Sequence, residues 1–126
     1  MKGTRFTETI VWQRAHEFVL AIYHLSDNFP RHEQFGLTAQ MRKAAVSIPA
    51  NFVEGFRRFS PAEKIRFYNV AQASGEECRY YLILSNDLGY GDSMRLMPLV
   101  DETEALLEGY IRAIRKRITT RRGRRS

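Results

Sequence analysis

SPAEKIRFYNVAQASGEECRYYLIL, residues 60–84, opens with a helix start signal and continues with a helical repeat. Ser60 supplies an N-cap hydroxyl, Pro61 stands at the first helical position where its missing N–H costs nothing, and Glu63 is placed to complete a capping box. From there Ile65, Tyr68, Ala71, Gly75, Cys78 and Leu82 recur every three or four residues. Phe67, Val70, Ser74, Tyr81 and Leu88 lie beside that stripe, an apolar face wide enough to be buried on two sides. Gly89-Tyr90-Gly91-Asp92 provides the stop and the turn.

The same period extends outward in both directions. Val11, Trp12, Ala15, Phe18, Val19, Ile22, Leu25 and Phe29 form a helical stripe that Pro30 ends. Leu37, Met41, Ala44, Ala45, Ile48 and Phe52 mark a second helix from about Gly36 to Arg58, in which Pro49 removes the donor to the Ala45 carbonyl and predicts a kink. Met97, Val100, Leu107, Ile111, Ile114 and Ile118 give the last helix, with Glu104 breaking a nearly regular heptad seam. No alternating strand pattern competes. Comparable amphipathic helices joined by short turns predict an all-α, up-down-up-down antiparallel four-helix bundle over residues 1–118, followed by a basic flexible tail over residues 119–126 that frays near Gly123.

Charge is distributed unevenly. The run from Arg112 to Ser126 holds eight of the twenty basic residues (Arg112, Arg115, Lys116, Arg117, Arg121, Arg122, Arg124, Arg125) and no acid, leaving twelve basic against fourteen acidic residues before it. The pI near 9.8 therefore describes one segment, whose like charges stay solvated until a polyanion neutralises them. A single cysteine, Cys78, excludes an intramolecular disulfide and fits a small buried apolar residue. No Cys/His spacing matches a zinc site. The opening Met1–Arg5 carries charge without an apolar stretch of signal-peptide type, and no run reaches a membrane span, so a cytoplasmic location is expected.

Ser47, Asn51 and Glu54 fall on one face of the second helix, and Ser74 and Glu77 have the matching spacing on the third. A structural polar layer joining the two helices, and occupying the carbonyls freed by Pro49, is the expected result. No histidine stands near it to act as a base. His16, His24 and His32 lack both the i, i+4 pairing and the carboxylates of a metal site. Neither a cofactor nor a metal is called for, and no enzymatic constellation is present in the sequence.

The stretch Ser47-Ile48-Pro49-Ala50-Asn51, followed by Glu54-Gly55, also carries a family resemblance. Together with Val11-Trp12, Ala15, Tyr23, Phe29-Pro30, Glu33, Gly36-Leu37, the run Gln40 to Ala45, Ala71, Ser74 and Glu77, it resembles the small four-helix-bundle proteins encoded in intervening sequences of bacterial 23S ribosomal RNA genes. The resemblance covers about Val11 to Tyr90. Ala73 stands where the family usually has glycine and Gly75 where it tends to have leucine, so packing around Ser74 is expected to differ. The resemblance implies a homo-oligomeric ring, typically a homopentamer, similar to the accessory protein of diversity-generating retroelements. It further implies contacts with nucleic acid and with a reverse transcriptase, and no catalysis.

Residues and resemblance together lead to a nonenzymatic, homo-oligomeric nucleic-acid-binding accessory protein. Its expected contacts are the tail together with Arg42, Lys43, Arg57, Arg58, Lys64 and Arg66 on the second and third helices. RNA and DNA are not distinguished by any of these residues. The alternative is a protein-interaction scaffold whose tail serves solubility or docks to an acidic partner, a reading that exposure of Trp12, Phe56, Phe59 and Tyr90 would favour.

Overall fold

The computed structural model describes residues 5–125, and the described residues form four long helices without strands. They are α1 (Ile10–Ser26), α2 (Leu37–Phe56), α3 (Pro61–Asp87) and α4 (Met97–Arg125), with short 3-10 turns at Phe6–Glu8, Arg31–Glu33 and Ser93–Leu96. Contacts join α1 to α2, α2 to α3, α3 to α4 and α4 back to α1, which makes the architecture a four-helix bundle. Ser47 meets Ser74 while Gly55 meets Tyr68, so α2 and α3 run in opposite directions. Gln72–Glu108, Gly75–Glu104 and Arg79–Asp101 give the same result for α3 and α4.

The first three helices start where their first N–H groups find an acceptor. Thr9 Oγ1 accepts from Trp12 N at 3.2 Å, and Ser60 Oγ accepts from Glu63 N at 3.3 Å. The reciprocal half of the expected box is replaced: the Glu63 carboxylate lies 3.9 Å from Arg58 instead. At α2 the N-cap is Gly36, which has no side chain to offer, and Glu33 Oε1 takes the Leu37 N–H at 3.0 Å. That bond and the Tyr90 hydroxyl, which donates to Oε2 at 2.7 Å, hold the Glu33 carboxyl below its ordinary range. One side chain thereby ties the α1–α2 link to the α3–α4 link. Gly89, at φ 77°, supplies the left-handed turn that ends α3.

The core fills from all four helices, with Phe18, Ile22, Met41, Ile48, Phe52, Tyr68, Leu82, Val100, Leu107 and Ile111 buried. Pro49 is buried inside α2, which runs unbroken through it. Close approach of α2 and α3 depends on Gly55, where an added Cβ would stand 2.5 Å from Tyr68 Cε1 and 3.1 Å from the Lys64 carbonyl oxygen. The Tyr68 ring stacks on Phe52, with centroids 5.4 Å apart. Cys78 is buried as expected, and burial first, then Glu77 and Glu104, pushes its thiol up to about 12.

α4 does not end at Ile118. Its backbone continues as helix through Arg125, past both the expected 118/119 boundary and Gly123. Arginine and lysine are good helix formers, and the Thr119 and Thr120 hydroxyls donate to the carbonyls four residues earlier. The side chains of Arg121, Arg122, Arg124 and Arg125 lie outside the described residues.

Glu104, the acid in the seam, packs into the space left by Gly75: a Cβ there would come within 2.4 Å of Glu104 Oε1. Among the described residues Oε1 is buried without a hydrogen-bond partner, while Oε2 lies 3.4 Å from Arg79. Burial, opposed by Arg79 and reinforced by Asp101, raises this carboxyl from 4.5 to about 7. The folded state therefore keeps a proton that the unfolded chain has released, so stability falls as pH rises from 4.5 to about 7 and levels off above it. Glu104→Gln is expected to stabilise the protein by about 1–3 kcal/mol near pH 8, with the gain shrinking towards pH 5. Urea unfolding of both proteins at the two pH values checks this; a gain independent of pH would contradict it.

Candidate nucleic-acid interface

The basic residues singled out by sequence divide into those already held by neighbours and those left to solvent. Arg42 is held. Its Nε donates to Ser26 Oγ at 2.8 Å and its Nη2 to Asp27 Oδ1 at 2.9 Å and the Tyr23 carbonyl at 3.3 Å, while the guanidinium lies 4.5 Å from the Tyr23 ring centroid. It fastens α2 to the C-terminal end of α1, and every one of these contacts competes with phosphate. Lys43 beside it is exposed. Both lie about 20 Å along α2 from its C-terminus, apart from the other candidates.

At that C-terminus the chain gathers its cations. Lys64 Nζ donates to the carbonyls of Gly55 at 3.2 Å and Phe56 at 2.8 Å, capping the end of α2 from the first turn of α3. Burial, and then the nearby charge of Arg117, lower the Lys64 pKa. Arg58 pairs with Glu54 at 3.0 Å and sits 4.9 Å from the Phe67 ring, with Arg66 at 4.7 Å from the same ring. Arg57 and Arg66 are exposed. Arg112 stands 4.0 Å from Glu108, whereas Arg115, Lys116 and Arg117 are exposed and make no ion pair among the described residues. Of the basic residues singled out by sequence, Arg58 and Arg66 thus share the Phe67 ring and Lys64 lies near Arg117 of α4, while Arg42 is one that the fold uses as a clamp.

A cleft of about 610 Å³ opens in this region. Phe56 of α2 and Lys64 and Tyr68 of α3 form one part of its lining, and Gly109, Tyr110, Ala113, Ile114 and Arg117 of α4 complete it. Sequence reasoning missed this cleft. The available signal was the pair of small residues four apart on α4, Gly109 and Ala113, in the turns just before the cationic run.

The expected polar layer forms in part. Ser74 Oγ donates to Ser47 Oγ at 2.7 Å across the α2–α3 seam, and Asn51 Nδ2 donates to both the Ser47 carbonyl and Ser47 Oγ at 2.9 Å. Glu54 and Glu77 are not members. Glu54 pairs with Arg58 four residues on, and exposed Glu77 accepts from the Tyr81 hydroxyl at 3.3 Å. Each acid has an i, i+4 partner on its own helix, which is closer than anything across the seam. Among the described residues no group of three His, Cys, Asp or Glu side chains is placed to hold a metal, and no helix is long and apolar enough to cross a membrane.

With this geometry in view, comparison with known proteins decides the lineage. The family model of the 23S rRNA-intervening sequence protein matches residues 7–110. The chain belongs to that family. The match reaches further in both directions than the residues that first carried the likeness, and it stops just before Arg112, so the cationic run lies outside the shared family segment. Among solved structures the chain is similar to a protein with unknown function from the S23 ribosomal protein family of Bacteroides thetaiotaomicron. The TM-score is 0.72 at 25% identity, covering 81% of this chain and 98% of that one. Among curated proteins none matches. Gly75 is the residue that admits Glu104 into the α3–α4 seam.

The revised layer separates two substitutions. Asn51→Ala removes the two hydrogen bonds to Ser47, one of them to the hydroxyl that meets Ser74 across the seam, and is expected to cost about 1–2 kcal/mol. Glu54→Ala removes one half-exposed ion pair and is expected to change stability by less than about 0.5 kcal/mol. Urea denaturation distinguishes them, and equal losses would place Glu54 in the layer after all.

Proposed function

We propose that this chain is a nonenzymatic, homo-oligomeric nucleic-acid-binding accessory protein that contacts phosphates mainly through the C-terminal part of α4. The observation that carries this reading is the state of Arg115, Lys116 and Arg117. They are exposed, make no ion pair among the described residues, and lead directly into the arginine-rich end of the sequence. Arg57 and Arg66 are secondary contacts, exposed Lys43 is a separate one further along α2, and Arg42 is set aside because its donors are engaged. Exposed charges of this kind bind polyanions through counterion release and without reading sequence.

Oligomerisation is supported by α3, whose outward Val70, Tyr80 and Ile83 stand 44%, 58% and 44% exposed in the single chain. Closure into a ring, a homopentamer by the family resemblance, would cover such residues and multiply the cationic segments around one axis. A cytoplasmic setting and a reverse transcriptase partner belong to the same proposal. The scaffold alternative has two specific observations in its favour: Phe59 is 99% exposed and Phe35 88%. The other aromatics on which it relied are engaged: Trp12 stacks on His16, Phe56 packs on Phe52, and Tyr90 bonds Glu33.

Salt dependence separates the two. For nucleic-acid binding through the basic segment, log affinity is expected to fall with log salt at a slope of about −0.9 per duplex phosphate contacted, and deletion of Thr119–Ser126 flattens that slope. Fluorescence anisotropy with a labelled duplex measures both. Affinity and slope unchanged by the deletion would remove the tail from the interface, and a protein partner retained after nuclease treatment would favour the scaffold.

A further inference from the structure

Four glycines lie inside the long helices, Gly55, Gly75, Gly109 and Gly123, and the first three differ in what their missing side chain allows. Gly55 makes room for Tyr68 and Gly75 for Glu104. Gly109 makes room for nothing in the protein, since a Cβ there would meet no atom within 4 Å. A glycine inside a helix costs about 1 kcal/mol relative to alanine, and at Gly109 no side chain packs into the space it leaves. Gly109 lies in the cleft, and any side chain built there would reduce the cleft's free space.

The rest of the lining defines a chemistry. Phe56 and Tyr110 offer aromatic surface, and Tyr110 is fixed by edge-on packing against Phe52 and Tyr68. Lys64 and Arg117 add two positive charges close enough to oppose one another. The two carbonyls that Lys64 binds use two of the three ammonium donors, leaving the third for a ligand. An anion seated between these cations would relieve their mutual repulsion. A volume of about 610 Å³ lies within the roughly 300–1,000 Å³ of small-molecule sites. Flat aromatic surface with paired cations at its edge suits a ligand that is planar at one end and anionic at the other.

Building on the nucleic-acid reading, we propose that this cleft receives one unstacked nucleotide of a single strand, its base against Phe56 and Tyr110 and its phosphate between Lys64 and Arg117. The adjoining cationic part of α4 holds the flanking backbone. A paired base cannot enter, so the cleft contributes to single strands and not to duplexes.

Gly109→Leu tests this by filling the cleft without altering any charge, and Ala113→Leu is a second, independent filling. Anisotropy titrations use the full chain, a labelled oligothymidylate strand, and a labelled duplex, with light scattering and thermal melting confirming that mass and fold match the unaltered protein. The expected result is a loss of about tenfold in single-strand affinity for either variant, with duplex affinity unchanged. Gly109→Ala, whose methyl enters open space, is expected to bind both as the unaltered protein does. Single-strand affinity preserved in both leucine variants would overturn the cleft while leaving nucleic-acid binding standing, as would equal losses on strand and duplex. An unaltered protein that binds neither probe would overturn the nucleic-acid reading itself, and the cleft with it.

Discussion

The last carbonyls of a helix have no partner within it, and at the end of α2 that requirement is met by an ammonium from another helix. Lys64 reaches back from α3 to the carbonyls of Gly55 and Phe56, so the tight α2–α3 turn is held by a charge pointing inward. Gly55 lets the two helices approach closely enough for that reach, and Tyr68 then fills the space beside it. The consequence extends to α4. Because Lys64 is drawn inward, Arg117 meets it across the cleft as a like charge, and among the described residues no acid pairs with either cation. The positive end of the molecule follows from how α2 is terminated.

A second constraint acts at mid-height. Gly75 leaves a space in the α3–α4 seam, and it is taken by a carboxyl group that is mostly buried and imperfectly partnered. Arg79 holds Asp101 at 2.8 Å and reaches Glu104 at 3.4 Å, leaving Oε1 without a donor among the described residues. An apolar residue in this seam would pack without desolvating a charge. The α3–α4 contact therefore has a strength that depends on proton concentration, while the α2–α3 contact combines neutral serine and aromatic groups with the Lys64 ammonium.

The four helices were legible because burial imposes one period on all of them, and Ser60, Pro61 and Gly89 mark boundaries through local backbone chemistry. Glu104 was legible as well, being the single charge in an apolar seam. Arg42 was not, because its partners Tyr23, Ser26 and Asp27 lie on another helix, fifteen or more residues earlier in the chain. The misplacement of Glu54 and Glu77 has a different origin. Spacing puts both on the correct face, but Arg58 and Tyr81 compete for them from one turn away, and that competition is visible in the sequence to a reader who weighs i, i+4 partners first. Lys64 as a cap has no sequence signal of its own: a lysine in the first turn of a helix reads as an exposed cation until the preceding helix is folded back upon it.

The cleft joins these constraints. Its cations stand where the α2 terminus places Lys64, its aromatic lining is what the Gly55–Tyr68 contact organises, and its open side is a glycine that no packing demands. The family match ends at residue 110, within the cleft lining, and the cationic segment begins two residues later. Arg117 thus lies beyond the segment that the family model matches. The matched segment supplies the aromatic lining of the cleft, and residues after it supply part of its charge. A change at Arg117 alone would leave the aromatic surface of Phe56 and Tyr110 without the paired charge, because the cation lies beyond the buried core positions of α4 and the rings do not depend on it.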